Sequence, residues 1–159
     1  MSFVIRPVID SDAGGLVKLI DACFREYEGV FIDLEDLDKD LLTYESSLKA
    51  QKGEGFVVEA EDGEIVGSVA CAPSGDVSFE LKRLYLSVRL RGSGMGLKLL
   101  GLAEGRARDR GAVMMDAWSD TRFTRAHRFY EREGYVKGPE TRDLHDISKS
   151  TEFYFAKKL

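Results

Sequence analysis

The stretch RGSGMG at residues 91–96 places three glycines in five residues, between an apolar run and a helical one. Glycine loses more conformational freedom on folding than any other residue, so such a cluster is costly unless bare backbone is needed. The first amides of a helix have no intrahelical acceptor, and they sit at the positive end of its dipole. Glycines there let the oxygens of a phosphate approach the amides directly. Arg89, Arg91 and Lys98 add positive charge around the glycines of a chain whose net charge is −5. A tight strand-to-helix turn alone would need one glycine. Arg91, Gly92, Ser93, Gly94, Met95 and Gly96 are therefore the candidate anion cradle.

Two familiar phosphate patterns fail here. The P-loop needs Lys and then Ser or Thr after its last glycine, but Gly96 is followed by Leu97-Lys98-Leu99. The dinucleotide fingerprint needs a third glycine three positions after the second. From Gly94 that position is Leu97, and from Gly96 it is Leu99. Asp116 does stand where a ribose-binding acid would be expected, yet only one strand–glycine–helix unit exists.

The elements that must position this loop read as follows. Residues 3–8 are a short strand. Asp10, Ser11 and Asp12 offer N-caps for a helix at about 12–28, with Leu16, Leu19, Ile20, Cys23, Phe24 and Tyr27 on one face. Residues 35–50 give a second helix. Strands at 56–60 and 65–70 flank Asp62-Gly63, a hairpin signal. Residues 78–88 form a third long strand, followed by the glycines and a helix at about 94–109. Then come a strand at 112–118, a helix at 124–133, a short strand from 134–136 and a last strand at 151–159. Residues 139–150 are a polar connection placed to fold over a bound ligand. The order predicts a mixed sheet, antiparallel early and parallel across the helical crossover.

At 159 residues the chain is one domain, 1–159. No apolar run reaches the ~18 residues of a membrane span, and no basic-then-apolar leader opens the chain. The acidic balance argues against nucleic acid, whose binding rests on Lys and Arg. Cys23 and Cys71 lie in apolar contexts and read as buried thiols of a reducing, cytoplasmic compartment. Two cysteines and two histidines without tight spacing predict no metal.

Arg91-Gly92-Ser93-Gly94-Met95-Gly96 fits Arg/Gln-x-x-Gly-x-Gly/Ala, and AHRFYEREGY at 126–135 fits Ala-x-x-x-Tyr-x-x-x-Gly-aromatic. With ELKRLYLSV leading into the loop, the chain resembles the GNAT N-acetyltransferase superfamily over nearly its whole length. The resemblance implies an α/β fold with a central mixed sheet of about seven strands and about four flanking helices. It implies acetyl-CoA as cosubstrate and direct transfer to a primary amine of a small molecule or peptide. The alternative is a non-catalytic acyl-CoA-binding module of the same fold. A homodimer is left open.

The resemblance also assigns residues. Backbone at 91–96 would take the pyrophosphate. A backbone amide near Val88 would polarise the thioester carbonyl, and Leu86 and Val88 would pair with the pantetheine amides. Tyr130 would protonate the departing thiolate; its alternative is an aromatic core stripe. Glu80 is the candidate base; its alternative is an ordinary surface glutamate. It shares a strand face with Leu84, Leu86 and Val88 only if no bulge intervenes, and Lys82-Arg83 breaks the apolar alternation. The family often has Asn seven positions before the tyrosine, where this chain has Phe123. His127 is a candidate relay beside Tyr130, or simply packed. The acids of 33–40, Asp36 and Asp38 in particular, would suit a cationic acceptor, or would merely cap and solvate a helix.

Overall fold

The run IVGSVACA has small or apolar residues at almost every position, the composition of a strand covered on both faces. In the computed structural model, which describes residues 2–159, this strand is buried throughout except at its final proline. It is β3 (Ile65–Pro73), third in a seven-stranded sheet. β1 (Phe3–Pro7), β2 (Glu54–Ala60), β3 and β4 (Ser78–Leu86) run antiparallel in sequence order. β4 then pairs parallel with β5 (Met114–Asp120), and β7 (Thr151–Lys158) lies between β5 and β6 (Val136–Asp143).

Helices cover the two faces unequally. α1 (Ala13–Phe24) and α2 (Tyr44–Ala50) lie over the antiparallel half, burying Leu16, Ile20, Tyr44 and Leu48 around Val57 and Ala70. α3 (Met95–Asp109) and α4 (Thr124–Arg132) cover the other face, with Leu99, Leu100, Tyr130 and Phe155 in one cluster. Both cysteines are free and buried, as their apolar settings predict. No helix among the described residues is long and apolar enough to cross a membrane.

Four boundaries depart from the sequence expectation. The first helix ends at Phe24 rather than near 28. The helix expected at 35–50 is a turn, a 3-10 segment at Lys39–Thr43 and the short α2. β4 stops at Leu86 and gives way to a 3-10 turn at Val88–Leu90. The polar stretch 139–150 is a connection only from 144, because residues 141–143 pair with β7. That connection does fold inward: Ser148 Oγ accepts from Phe31 N at 2.8 Å and donates to Phe31 O at 3.2 Å.

Candidate active site

Lys82-Arg83 marks a bulge. Ala70 opposes Lys82 while Ser68 opposes Tyr85, so Val69 faces both Arg83 and Leu84. Arg83 has φ 51°, rare for a residue with a side chain. Ser68 Oγ holds its carbonyl at 2.7 Å. A bulge bends its strand and increases local twist. Accordingly β4 pairs with β5 only through Ser78, Phe79 and Glu80, and the two strands then diverge. The divergence opens a cleft of about 980 Å³, lined by Leu84, Leu86, Gly92, Gly94, Gly96, Trp118 and Tyr130 among others.

Along β4 the amide of Ser87 donates to Val66 O at 2.8 Å. By antiparallel alternation, Leu84 and Leu86 turn their backbone groups away from β3 and toward the gap. The Leu86 carbonyl already has a partner, the Cys23 thiol at 3.4 Å. Burial pushes that thiol up to about 11, so it is a hydrogen-bond donor and not a ready nucleophile. Val88 sits outside the gap. It belongs to the 3-10 turn, is 68% exposed and does not line the cleft. The gap-facing backbone groups next to it are those of Leu84 and Leu86, which do line the cleft.

The glycine loop ends the cleft. Gly92 and Gly94 have φ 77° and 85°, and a Cβ on either would meet nothing within 4 Å. Both glycines are thus needed for backbone conformation, and they face open space. Ser93 Oγ accepts from Met95 N at 3.3 Å and donates to Leu90 O. Among the described residues the amides of Gly92, Gly94, Gly96 and Leu97 have no protein acceptor. Ser93 and Met95 shape the turn and do not line the cleft. Arg91 makes a two-pronged pair with Glu26 just beyond the end of α1, and Arg125 of α4 approaches the same carboxylate at 3.5 Å. Those guanidinium partners hold Glu26 below the usual carboxylate range. Arg89 is paired to Glu64 at 2.7 Å.

Tyr130 is 8% exposed, packed on Tyr135 and Phe155 at ring distances of 5.6 and 5.5 Å. Its hydroxyl makes no hydrogen bond among the described residues, and the residue lines the cleft. Burial pushes its phenol up to about 12. His127 is packed: its ring meets Phe153 and Phe155, Nε2 lies 3.1 Å from Ser119 Oγ, and burial lowers its pKa. Phe123 lies on Phe24 and Tyr27, closing the α1 side of the cleft.

The bulge puts Glu80 on the opposite face from Leu84 and Leu86, because it reverses the alternation between them. Phe79 and Leu81 pack with Leu84 and Leu86 on the α3 side, so Glu80 and Lys82 point toward the α1 side. Glu80 still lines the cleft, and burial raises its carboxyl above the ordinary range. The expected acceptor acids behave differently. Asp36 is exposed and lies outside the cleft lining. Asp38 is 5% exposed; its Oδ1 accepts from Arg83 Nη1 at 2.7 Å and its Oδ2 from Asp33 N at 2.8 Å. It pins the α1–α2 connection to the bulge, and it also lines the cleft. Arg83, Lys82, Trp118, Cys23 and Glu26 were missed by sequence reasoning. Only the interrupted alternation at Lys82-Arg83 gave a signal.

The same pattern recurs in known proteins. The model of the Acetyltransferase (GNAT) family matches residues 16–135. An uncharacterized N-acetyltransferase of Archaeoglobus fulgidus is 30% identical over 132 residues, which are 77% of this chain and 89% of that protein. An aminoalkylphosphonate N-acetyltransferase of Salmonella typhimurium is 33% identical over 79 residues, 46% of this chain and 51% of that protein. Among solved structures, a GNAT acetyltransferase of Staphylococcus aureus superposes with TM-score 0.83 at 16% identity, covering 99% of each chain. The PaiA N-acetyltransferase of Thermoplasma acidophilum, solved with coenzyme A, gives TM-score 0.77 at 21% identity, covering 100% of each. The chain belongs to the GNAT acetyltransferase family.

Proposed function

We propose that the protein transfers an acetyl group from acetyl-CoA directly to a primary amine. The observation that carries this is the cleft between β4 and β5, with four unpartnered amides at one end and an unbonded phenol in its wall. The residues fit the donor. The amides of Gly92, Gly94, Gly96 and Leu97 suit a pyrophosphate, and the gap-facing backbone of Leu84 and Leu86 suits the amides of an extended pantetheine arm. The Thermoplasma protein of the same fold was solved with coenzyme A, which supports coenzyme A as the carrier of the donor group.

The chemistry then divides among this chain's groups. Glu80, its carboxyl raised above the ordinary range by burial, accepts the amine's proton directly or through water. The neutral nitrogen forms its bond to the thioester carbon, and a gap-facing amide of β4 stabilises the oxyanion. As the C–S bond breaks, Tyr130 gives its proton to the thiolate and regains one from solvent. Neither cysteine serves as an acyl carrier, since both thiols are pushed up to about 11 by burial.

Initial-rate kinetics with both substrates varied, together with the intact mass of the protein after acetyl-CoA alone, test this. Intersecting reciprocal plots and an unmodified protein are expected. Parallel plots with an acetylated protein would replace direct transfer by an acyl-enzyme route. Tight acetyl-CoA binding without turnover of any amine would favour a binding module.

A further inference from the structure

Four charged groups surround Glu80 from four strands: Lys82 on β4, Asp116 on β5, Arg142 on β6 and Glu152 on β7. Three of them are committed. Asp116 Oδ2 accepts from Ser74 Oγ at 3.2 Å and Tyr154 Oη at 3.0 Å. Arg142 Nε donates to Glu152 at 2.7 Å, and its guanidinium lies 4.4 Å above the Trp118 ring. Lys82 differs. Its ammonium lies 3.8 Å from Glu80 Oε1, beyond hydrogen-bond reach, and it makes no hydrogen bond among the described residues. It is 28% exposed and lines the cleft. A lysine offers three donors, so all three here are available to a ligand.

The other acids of the cleft have partners: Glu26 as described, Asp146 in Ser150, and Glu133 in Arg132 at 3.7 Å. Asp40 is held by Arg83 at 2.7 Å, Asp120 by Arg122 at 2.8 Å, and Asp38 as described. Asp116 Oδ1 lacks a partner, but it is fully buried and outside the cleft lining. A second ammonium on the acceptor would therefore have to share each of these carboxylates with a cation or donor already in place. An oxyanion on the acceptor would meet an ammonium whose one ion pair among the described residues is the 3.8 Å contact with Glu80.

We infer that the acceptor is an amine carrying an oxyanion, most simply a carboxylate, separated from the nitrogen by a short spacer: an α- or β-amino acid. Glu80 takes the nitrogen and Lys82 the oxyanion. The two side chains stand two residues apart on one face of β4, so they present base and anion site side by side. The inference rests on the transfer reading above. It replaces the cationic acceptor expected from residues 33–40.

The test uses matched pairs, each an amino acid and its neutral amide, with a matched aminophosphonate to separate carboxylate from phosphonate preference. The wild-type protein should favour the anionic member in kcat/KM. Lys82→Met should lower the ratio of anionic to neutral kcat/KM by about 10- to 100-fold, the worth of one charge-assisted hydrogen bond. The loss should lie in KM, since the anion is held equally in ground and transition states. Lys82→Arg should recover most of the ratio. Wild-type preference for the amide, or equal losses on both members in Lys82→Met, would overturn the inference. If no amine is acetylated, the transfer reading fails, and calorimetry of the amino acid into CoA-saturated protein decides the anion site separately. Binding lost in Lys82→Met supports the site; binding unchanged, or absent from the wild type, overturns it.

Discussion

Replacing Tyr130 with Phe removes one oxygen and leaves the ring. The ring contacts with Phe129, Tyr135 and Phe155 are the residue's share of the core, and all survive. The hydroxyl has no protein partner among the described residues, so deleting it orphans nothing. Stability should therefore stay within about 0.5 kcal/mol of wild type. Catalysis should not. A positioned general acid contributes ~10²–10⁴-fold, about 3–5 kcal/mol of barrier, so kcat should fall by that factor. The KM for acetyl-CoA should change little, because the amides proposed to anchor it lie at 92–97. The pH profile adds a sign. Burial raises the phenol from its ordinary value near ~10 to about 12. The acid form therefore persists through the usual assay range, and Tyr130 should contribute no alkaline limb to kcat below roughly pH 11. Thiol release from acetyl-CoA with a saturating amine gives kcat, and a thermal melt on the same sample gives stability. A kcat within a few-fold of wild type, or a cost appearing only in the melt, would refute the acid assignment.

The other predictions are independent of that one. Glu80→Gln should abolish the acid limb of kcat/KM; in wild type activity should rise with pH through a midpoint above the ordinary glutamate value, because burial raises that carboxyl and its ionised form is the base. A limb at the ordinary value would mean a different base. Gly94→Val should cost about 1–2 kcal/mol for a β-branched residue at φ 85° and weaken acetyl-CoA binding by calorimetry in a protein that remains folded. Glu26→Gln should release Arg91 and Arg125 and strengthen acetyl-CoA binding by up to about 5-fold, the worth of a half-exposed ion pair. Unchanged or weaker binding would show that the carboxylate does not compete with the phosphates. Asp38→Asn should destabilise by about 3 kcal/mol through Arg83. A raised acceptor KM with full stability would instead restore Asp38 to the acceptor site.

The order of elements was legible because each announces itself locally. Asp62-Gly63 marks the β2–β3 hairpin, and Gly63 indeed has φ 86°. The glycines of 91–96 are visible for the same reason: positive φ at Gly92 and Gly94 is a property of single residues. The acceptor side was not legible because long-range pairing sets it. Asp38 looks like a helix-capping acid until Arg83, 45 residues away, is known to hold it. The bulge at Arg83 puts a bulky residue at positive φ, against its propensity, so nothing local predicts it beyond the broken alternation. That one extra residue puts Glu80 on the face opposite Leu84 and Leu86. The reach of β6 to Asp143 likewise depends on β7 and not on its own polar residues.

The most direct test incubates the protein with acetyl-CoA and an amino acid, and quantifies free CoA thiol and N-acetylated product in the same sample. Direct transfer at this cleft predicts equal amounts of the two, formed only when protein and amine are both present. Thiol release without acetylated amine, or no turnover despite bound acetyl-CoA, would contradict it.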